Sequence, residues 1–209
     1  IAGESYTGIT LTHSGCVSNA LSSTLSDPAT PTLSLDVTPT DPGTCSGTDG
    51  EIALTLSNVP DGTYTFDYDG GTFADVSVSS GSATITGLSA GDYNNITITV
   101  NGCTSAEDVD VTLSDPDAPT ISLGTETNPG TCSGSDGSIQ LTGLTASTSY
   151  TLNYKKDEVS VSPENITSDG SGNYVIGSLA GGSYTGITVT QSGCVSNALS
   201  STLSDPATP

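Results

Sequence analysis

The residues able to do chemistry are few: five cysteines, one histidine, 23 acidic residues, and two cations, Lys155 and Lys156. The cysteines are Cys16, Cys45, Cys103, Cys132 and Cys194. None lies in a CxxC pair and none has a second ligand beside it, so no metal site is expected from them. His13 is alone, and an internal copy of its segment carries Gln191 instead, so a catalytic role is not kept even within this chain. The acids sit mostly at turns such as Asp49, Asp61 and Asp136, where Asp is expected for its own backbone hydrogen bonds. General acid–base work needs carboxylates gathered in a cleft with shifted pKa. No serine stands in a nucleophile-elbow context and no phosphate loop is present, so an enzyme is not expected. The remaining chemistry is calcium binding, with Asp27, Asp115, Asp117 and Asp205 as candidate oxygen ligands, although no DxDxDG loop accompanies them.

These residues are carried on a repeat. Ile1 to Pro31 returns as Leu179 to Pro209 at an offset of 178 residues, and only Ile1/Leu179, Glu4/Gly182, Leu11/Val189 and His13/Gln191 differ. A more diverged copy, Gly87 to Cys103, parallels Gly177 to Cys194, which sets a unit of about 89 residues. That length suits a small sandwich domain and exceeds a solenoid repeat of 20 to 50 residues. The expected organisation is 1–31 as the C-terminal part of a truncated repeat, 32–118 as a complete repeat, and 119–209 as a complete repeat with a C-terminal linker. The 209 residues then read as a window onto a longer periodic chain.

Within a unit, short alternating runs are separated by turn dipeptides: Ile52/Leu54/Leu56 behind Asp49-Gly50, Tyr64 to Tyr68 behind Asp61-Gly62, and Ile96 to Val100 before Asn101-Gly102. Lys155 to Glu158 stands where a hairpin tip is expected. Nothing sustains a 3.6-residue period, so no helix is predicted. About seven short strands per unit is the pattern of an all-β, immunoglobulin-like sandwich. Tyr64, Phe66 and Tyr68 share one face and are expected in the core. Tyr93 and Tyr184 precede a strand after Ala-Gly-containing turns and are expected to pack at a sandwich corner with the hydroxyl bonded to backbone. The Ser-Asp-Pro junctions at Ser26, Ser114 and Ser204 hold two prolines each and are expected to be extended and stiff.

Each complete unit has one cysteine after its first strand and one before its last. The spacing pairs Cys45 with Cys103 and Cys132 with Cys194, leaving Cys16 for a partner upstream of the sequence. Closing a loop of about 58 residues would stabilise a unit by roughly 4 kcal/mol. Disulfides imply an oxidising compartment, so the chain is expected outside the cell or in the periplasm. A formal net charge of −21 excludes nucleic acid as a partner, and no apolar run is long enough to span a membrane.

Cys45 to Ile52, Ile85 to Tyr93 and Asn101-Gly102-Cys103, with Cys132 to Ile139, Leu179 to Tyr184 and Ser192-Gly193-Cys194, resemble the SprB-type repeat of giant surface adhesins in gliding Bacteroidetes. Ser192 departs from the usual Asn of that pattern. The resemblance implies export by type IX secretion, display as long outer-surface filaments, and a part in adhesion or gliding motility. The partners it implies are neighbouring repeats of the same chain, with surface polysaccharide or other cells met through a tip elsewhere. The function expected is therefore a stalk or spacer. The alternatives are a carbohydrate-binding accessory module, for which the Tyr64–Phe73 aromatics are the candidates, and a pilin-like subunit that polymerises by strand donation.

Overall fold

The computed structural model describes residues 3–105 and 109–207; Thr208 and Pro209, at the end of the last junction, lie outside them. Two compact units are present. One comprises Ile1–Thr40, Glu51–Gly87 and Gly91–Leu113; the other comprises Asp41–Gly50, Leu88–Ala90 and Ser114–Pro209. The loop 41–50 thus belongs to the second unit, although the repeat pattern counts it with 32–118.

In the first unit, β1 (Ser5–Ile9), β2 (Thr12–His13), β3 (Cys16–Val17) and β4 (Leu21–Thr24) form two small antiparallel pairs, β1 with β4 and β2 with β3. β5 (Thr32–Leu35), β6 (Gly50–Ser57), β7 (Gly62–Tyr68), β8 (Gly71–Ser79), β9 (Ser82–Leu88), β10 (Gly91–Val100), β11 (Cys103–Thr104) and β12 (Val109–Leu113) follow. They run in the order β11-β10-β7-β8-β9-β6-β5, with β12 also on β10. The alternation read from the sequence is the burial pattern. Ile52, Leu54 and Leu56 of β6 face inward, as do Ile96, Ile98 and Val100 of β10. Phe66 is fully buried, whereas Tyr64 and Tyr68 on the same face of β7 are half-buried.

The second unit holds β13 (Ser122–Thr127), β14 (Gly137–Thr142), β15 (Ser149–Lys156), β16 (Val159–Ser160), β17 (Glu164–Thr167), β18 (Tyr174–Leu179), β19 (Gly182–Gln191), β20 (Cys194–Val195) and β21 (Leu199–Leu203). β13-β14-β18 make one sheet. β16-β15-β19-β20, with β17 on β15 and β21 on β19, make the other. Ile121, Ile139, Leu141, Leu152, Ile166, Ile176, Ile187 and Val189, drawn from both sheets, form one core. Each side chain of that kind is worth about 1.5–3 kcal/mol when fully buried. Two antiparallel sheets closed over a shared apolar core make this an immunoglobulin-like β-sandwich, and no helix occurs among the described residues.

Simple alternation fails at an equivalent place in each repeat. Tyr184 and Ile187 are both buried although three residues apart, which a regular strand would put on opposite faces. A bulge absorbs the odd residue: the β19–β21 register shifts between Tyr184 and Ile187, and Gly186 has φ 59°. The same shift separates Tyr93 from Ile96, with Asn95 at φ 56°, and Tyr6 from Ile9, with Gly8 at φ 69°.

Ile187 and Val189 are completely buried under the strands formed by residues 121–179, whereas their counterparts Ile9 and Leu11 are 50% and 73% exposed.

Candidate functional site

The cysteine-bearing loops are built alike. In Pro42–Gly50 the Gly43 amide donates to Asp49 Oδ1 (3.1 Å) and the Gly47 amide to the Thr44 carbonyl (2.8 Å). In Pro129–Gly137 the Gly130 amide donates to Asp136 Oδ1 (3.0 Å) and the Gly134 amide to the Thr131 carbonyl (2.9 Å). A Cβ at Gly47 would stand 2.7 Å from Thr44 Oγ1, and one at Gly134 2.6 Å from Thr131 Oγ1, so only glycine fits. Asp49 and Asp136 are therefore turn acceptors.

Each loop receives the chain as it leaves the last strand of its repeat. The Ser114 amide donates to Asp41 Oδ1 (2.8 Å), and the Ser204 amide to Asn128 Oδ1 (2.9 Å). In return the Ser46 amide donates to Asp115 Oδ1 (3.1 Å), and the Ser133 amide to Asp205 Oδ2 (3.2 Å). The sulfur of Cys45 lies 3.6 Å from the Pro116 carbonyl oxygen, and that of Cys132 lies 3.6 Å from the Pro206 carbonyl oxygen.

The other cysteines follow two-residue hairpin turns. Ser14-Gly15, Asn101-Gly102 and Ser192-Gly193 all have positive φ at both residues, the requirement of a type I′ turn. Two residues beyond each cysteine, a serine exchanges hydrogen bonds with the preceding strand. Ser18 does so with Leu11, Ser105 with Ile98 and Ser196 with Val189. Two of these hairpins sit against the proline that precedes their repeat. Cys103 Sγ is 3.9 Å from the Pro28 carbonyl oxygen, and Cys194 Sγ is 3.3 Å from that of Pro116.

At Pro116 both kinds of cysteine meet and are joined. The disulfide links Cys45 to Cys194, with Cα atoms 5.0 Å apart, and the Cys45 amide donates to the Ser192 carbonyl (2.8 Å). This corrects the pairings Cys45–Cys103 and Cys132–Cys194 expected from spacing. Cys103, Cys132 and Cys16 are free thiols. The reason is strand direction. β19 starts at Gly182, beside Leu203 and the Cys132 loop that receives Ser204, and ends at Gln191, beside Cys194. Ten extended residues span about 33 Å. A disulfide holds its Cα atoms within about 7 Å, so the two cysteines of one repeat, at opposite ends of the sandwich, cannot meet.

The calcium candidates are engaged as backbone acceptors: Asp27 Oδ1 takes the Gly3 amide (2.9 Å), while Asp115 and Asp205 take the serine amides above. Asp117 is exposed. No group of three or more His, Cys, Asp or Glu side chains gathers among the described residues. His13 is exposed on its two-residue strand opposite Cys16. Tyr184 is buried and donates to the Ala180 carbonyl (2.7 Å), and burial, chiefly, raises its pKa. Tyr93 is half-buried at 5.5 Å from Tyr68 and 5.7 Å from Phe73; Tyr68 in turn stacks on Phe73 at 4.4 Å and 8°. In that trio the face of Tyr68 is covered by Phe73. A residue that sequence reasoning passed over is Asn197, whose side-chain amide takes the Ile121 amide (2.8 Å) and gives to the Ile121 carbonyl (2.9 Å), acting as a strand partner. Its signal was Cys-x-Ser-Asn, present at Cys16–Asn19 and again at Cys194–Asn197.

No family model and no curated protein matches the chain. Among solved structures it is similar to the I9–I11 tandem of titin, at 13% identity over 83% of this chain and 66% of that one, with a TM-score of 0.47. It is also similar to the fibronectin(III)-like modules of Clostridium thermocellum CbhA (15% identity, 83% and 94% covered, TM-score 0.34). The two-module fibronectin type III segment of chicken tenascin compares at 17% identity, 80% and 99% covered, and TM-score 0.30. The fold assignment rests on the strand order and shared core described above.

Proposed function

We propose that this chain is a run of non-catalytic spacer repeats in the stalk of a long extracellular filament or adhesin. The observation that carries the reading is the recurrence of a whole 31-residue segment with four changes. A spacer gains length by copying a unit entire, whereas a unique binding or catalytic site has no such use for duplication. Three features support it. The polar groups of the loops and junctions are used to fix backbone, as at Asp49, Asp115 and Asp205. A disulfide suits an oxidising, extracellular setting. A net charge of −21 gives neighbouring stalks mutual repulsion. The resemblance to the SprB-type repeat adds type IX secretion and gliding or adhesion to the proposal.

The test uses an antibody raised against these 209 residues, applied to intact cells and to a denaturing, fully reduced gel. Labelling of extended surface fibres and a band many times 20.7 kDa are expected. A reduced band near that mass would replace the stalk with a separate subunit of the pilin-like kind, and label seen only after permeabilisation would refute an extracellular role.

A further inference from the structure

Cys45 and Cys194 belong to different sequence repeats, and their link makes the unpaired cysteines intelligible. Three proline carbonyls mark equivalent places in the chain. At Pro116 a loop cysteine from before it and a hairpin cysteine from after it are both present and bonded. At Pro28 only the hairpin cysteine, Cys103, is present. At Pro206 only the loop cysteine, Cys132, is present. The loop half at Pro206 is already in its bonded arrangement. The Asn128–Ser204 and Ser133–Asp205 hydrogen bonds repeat those of Asp41–Ser114 and Ser46–Asp115 to within 0.1 Å, and Ser133 and Ser46 share φ 59°.

We propose that Cys45–Cys194 is one rung of a ladder in which every loop cysteine is bonded to the hairpin cysteine of the following repeat. Cys132 and Cys103 are the two open halves of such rungs. Cys132 takes the hairpin cysteine of a repeat placed after it, and Cys103 takes the loop cysteine of a repeat placed before it. Cys16, a hairpin cysteine like Cys194, takes a loop cysteine of the same kind. Each rung forms when two thiols lose two protons and two electrons to a low-molecular-weight disulfide, which is reduced to two thiols. The ladder gives the stalk covalent cross-links between successive repeats, so that tension is shared by two covalent paths at each junction. It rests on the repeat-array part of the function proposed above, and its test is independent of where the protein is displayed.

The sequence supplies its own experiment. Residues 204–209 are identical to residues 26–31, so a copy of residues 32–118 joined after Pro209 recreates the natural junction residue for residue. Cys103→Ser in the original and Cys45→Ser in the appended copy make every cysteine peptide unique. The chain is refolded with oxidised and reduced glutathione, alkylated, cut with an Asp-specific protease and mapped without reduction by mass spectrometry. The expected result is Cys45 joined to Cys194, and Cys132 joined to the appended copy's counterpart of Cys103. In the unextended 209-residue chain, Cys16, Cys103 and Cys132 should alkylate fully while Cys45 and Cys194 do not. Recovery of Cys132 as an alkylated thiol in the extended chain, or joined to Cys194, would overturn the ladder. So would Cys103 joined to Cys45 in the unextended chain. None of these outcomes bears on the size of the native polypeptide or its surface display.

Discussion

Removing the Cys45–Cys194 link should cost the protein about as much as the most damaging single core truncations, because the loop it closes is long. The two cysteines are 149 residues apart. The chain-entropy relation gives about 5 kcal/mol for a loop of that size at 25 °C. Residues 51–87 and 91–113 lie inside the loop and belong to the first unit. If that unit stays folded while the second unfolds, the flexible part shrinks to roughly 90 residues, and the figure falls only to about 4.6 kcal/mol. The magnitude is thus insensitive to the order of unfolding. The comparison is between the oxidised protein and the Cys45→Ala/Cys194→Ala double variant in urea. Circular dichroism and tyrosine fluorescence report the transition, since the chain has eight tyrosines and no tryptophan. The transition involving Tyr150, Tyr154, Tyr174 and Tyr184 should move to much lower urea, and its m-value should rise as the denatured chain expands. A Cys103→Ala/Cys132→Ala variant, which breaks no bond, should move by less than about 0.5 kcal/mol. A loss below about 1.5 kcal/mol in the first variant, with the disulfide verified in the parent, would refute the loop-closure reasoning.

Ile187→Ala should destabilise by about 2–5 kcal/mol, because Ile187 is completely buried; chemical denaturation against the parent checks this. Tyr184→Phe removes the hydroxyl that donates to the Ala180 carbonyl and should cost about 1 kcal/mol by the same assay. Asp169 is held below its ordinary pKa, first by the Asn173 amide and then by the Ser171 amide. A carboxylate depressed in the folded state adds stability above its unfolded pKa, near about 3.9, and loses it as pH falls through the folded value. Asp169→Asn should therefore lower the urea midpoint at pH 6 and have progressively less effect as the pH is taken below 4; an effect equal at both would contradict the assignment.

Much of the fold could be read from residue order, for reasons that are local. Alternation set the inward faces of β6 and β10, and Asn101-Gly102 marked its turn because a type I′ turn requires φ > 0 at both central residues. Tyr184 and Ile187 broke the period of two because Gly186 adopts a conformation that pattern counting ignores. What local sequence does not contain is the covering partner. Ile187 is wholly buried because its core neighbours, among them Ile139, Leu152 and Ile176, come from strands contributed by residues far away in the chain.

The cysteine pairing failed for the same reason in sharper form. Spacing suggested that the two cysteines within a repeat belong together, since their separations of about 60 residues recur. Yet each repeat takes the chain in at one end and lets it out at the other. One cysteine stands at the entrance, near the proline before the repeat, and the other at the exit, near the proline after it. Lying at opposite ends, the two cysteines of one repeat stay apart, and an exit cysteine comes to the proline where the next repeat's entrance cysteine also lies. Which end of the sandwich each cysteine occupies is set by the direction of the strands beside it, and spacing along the chain does not record that direction.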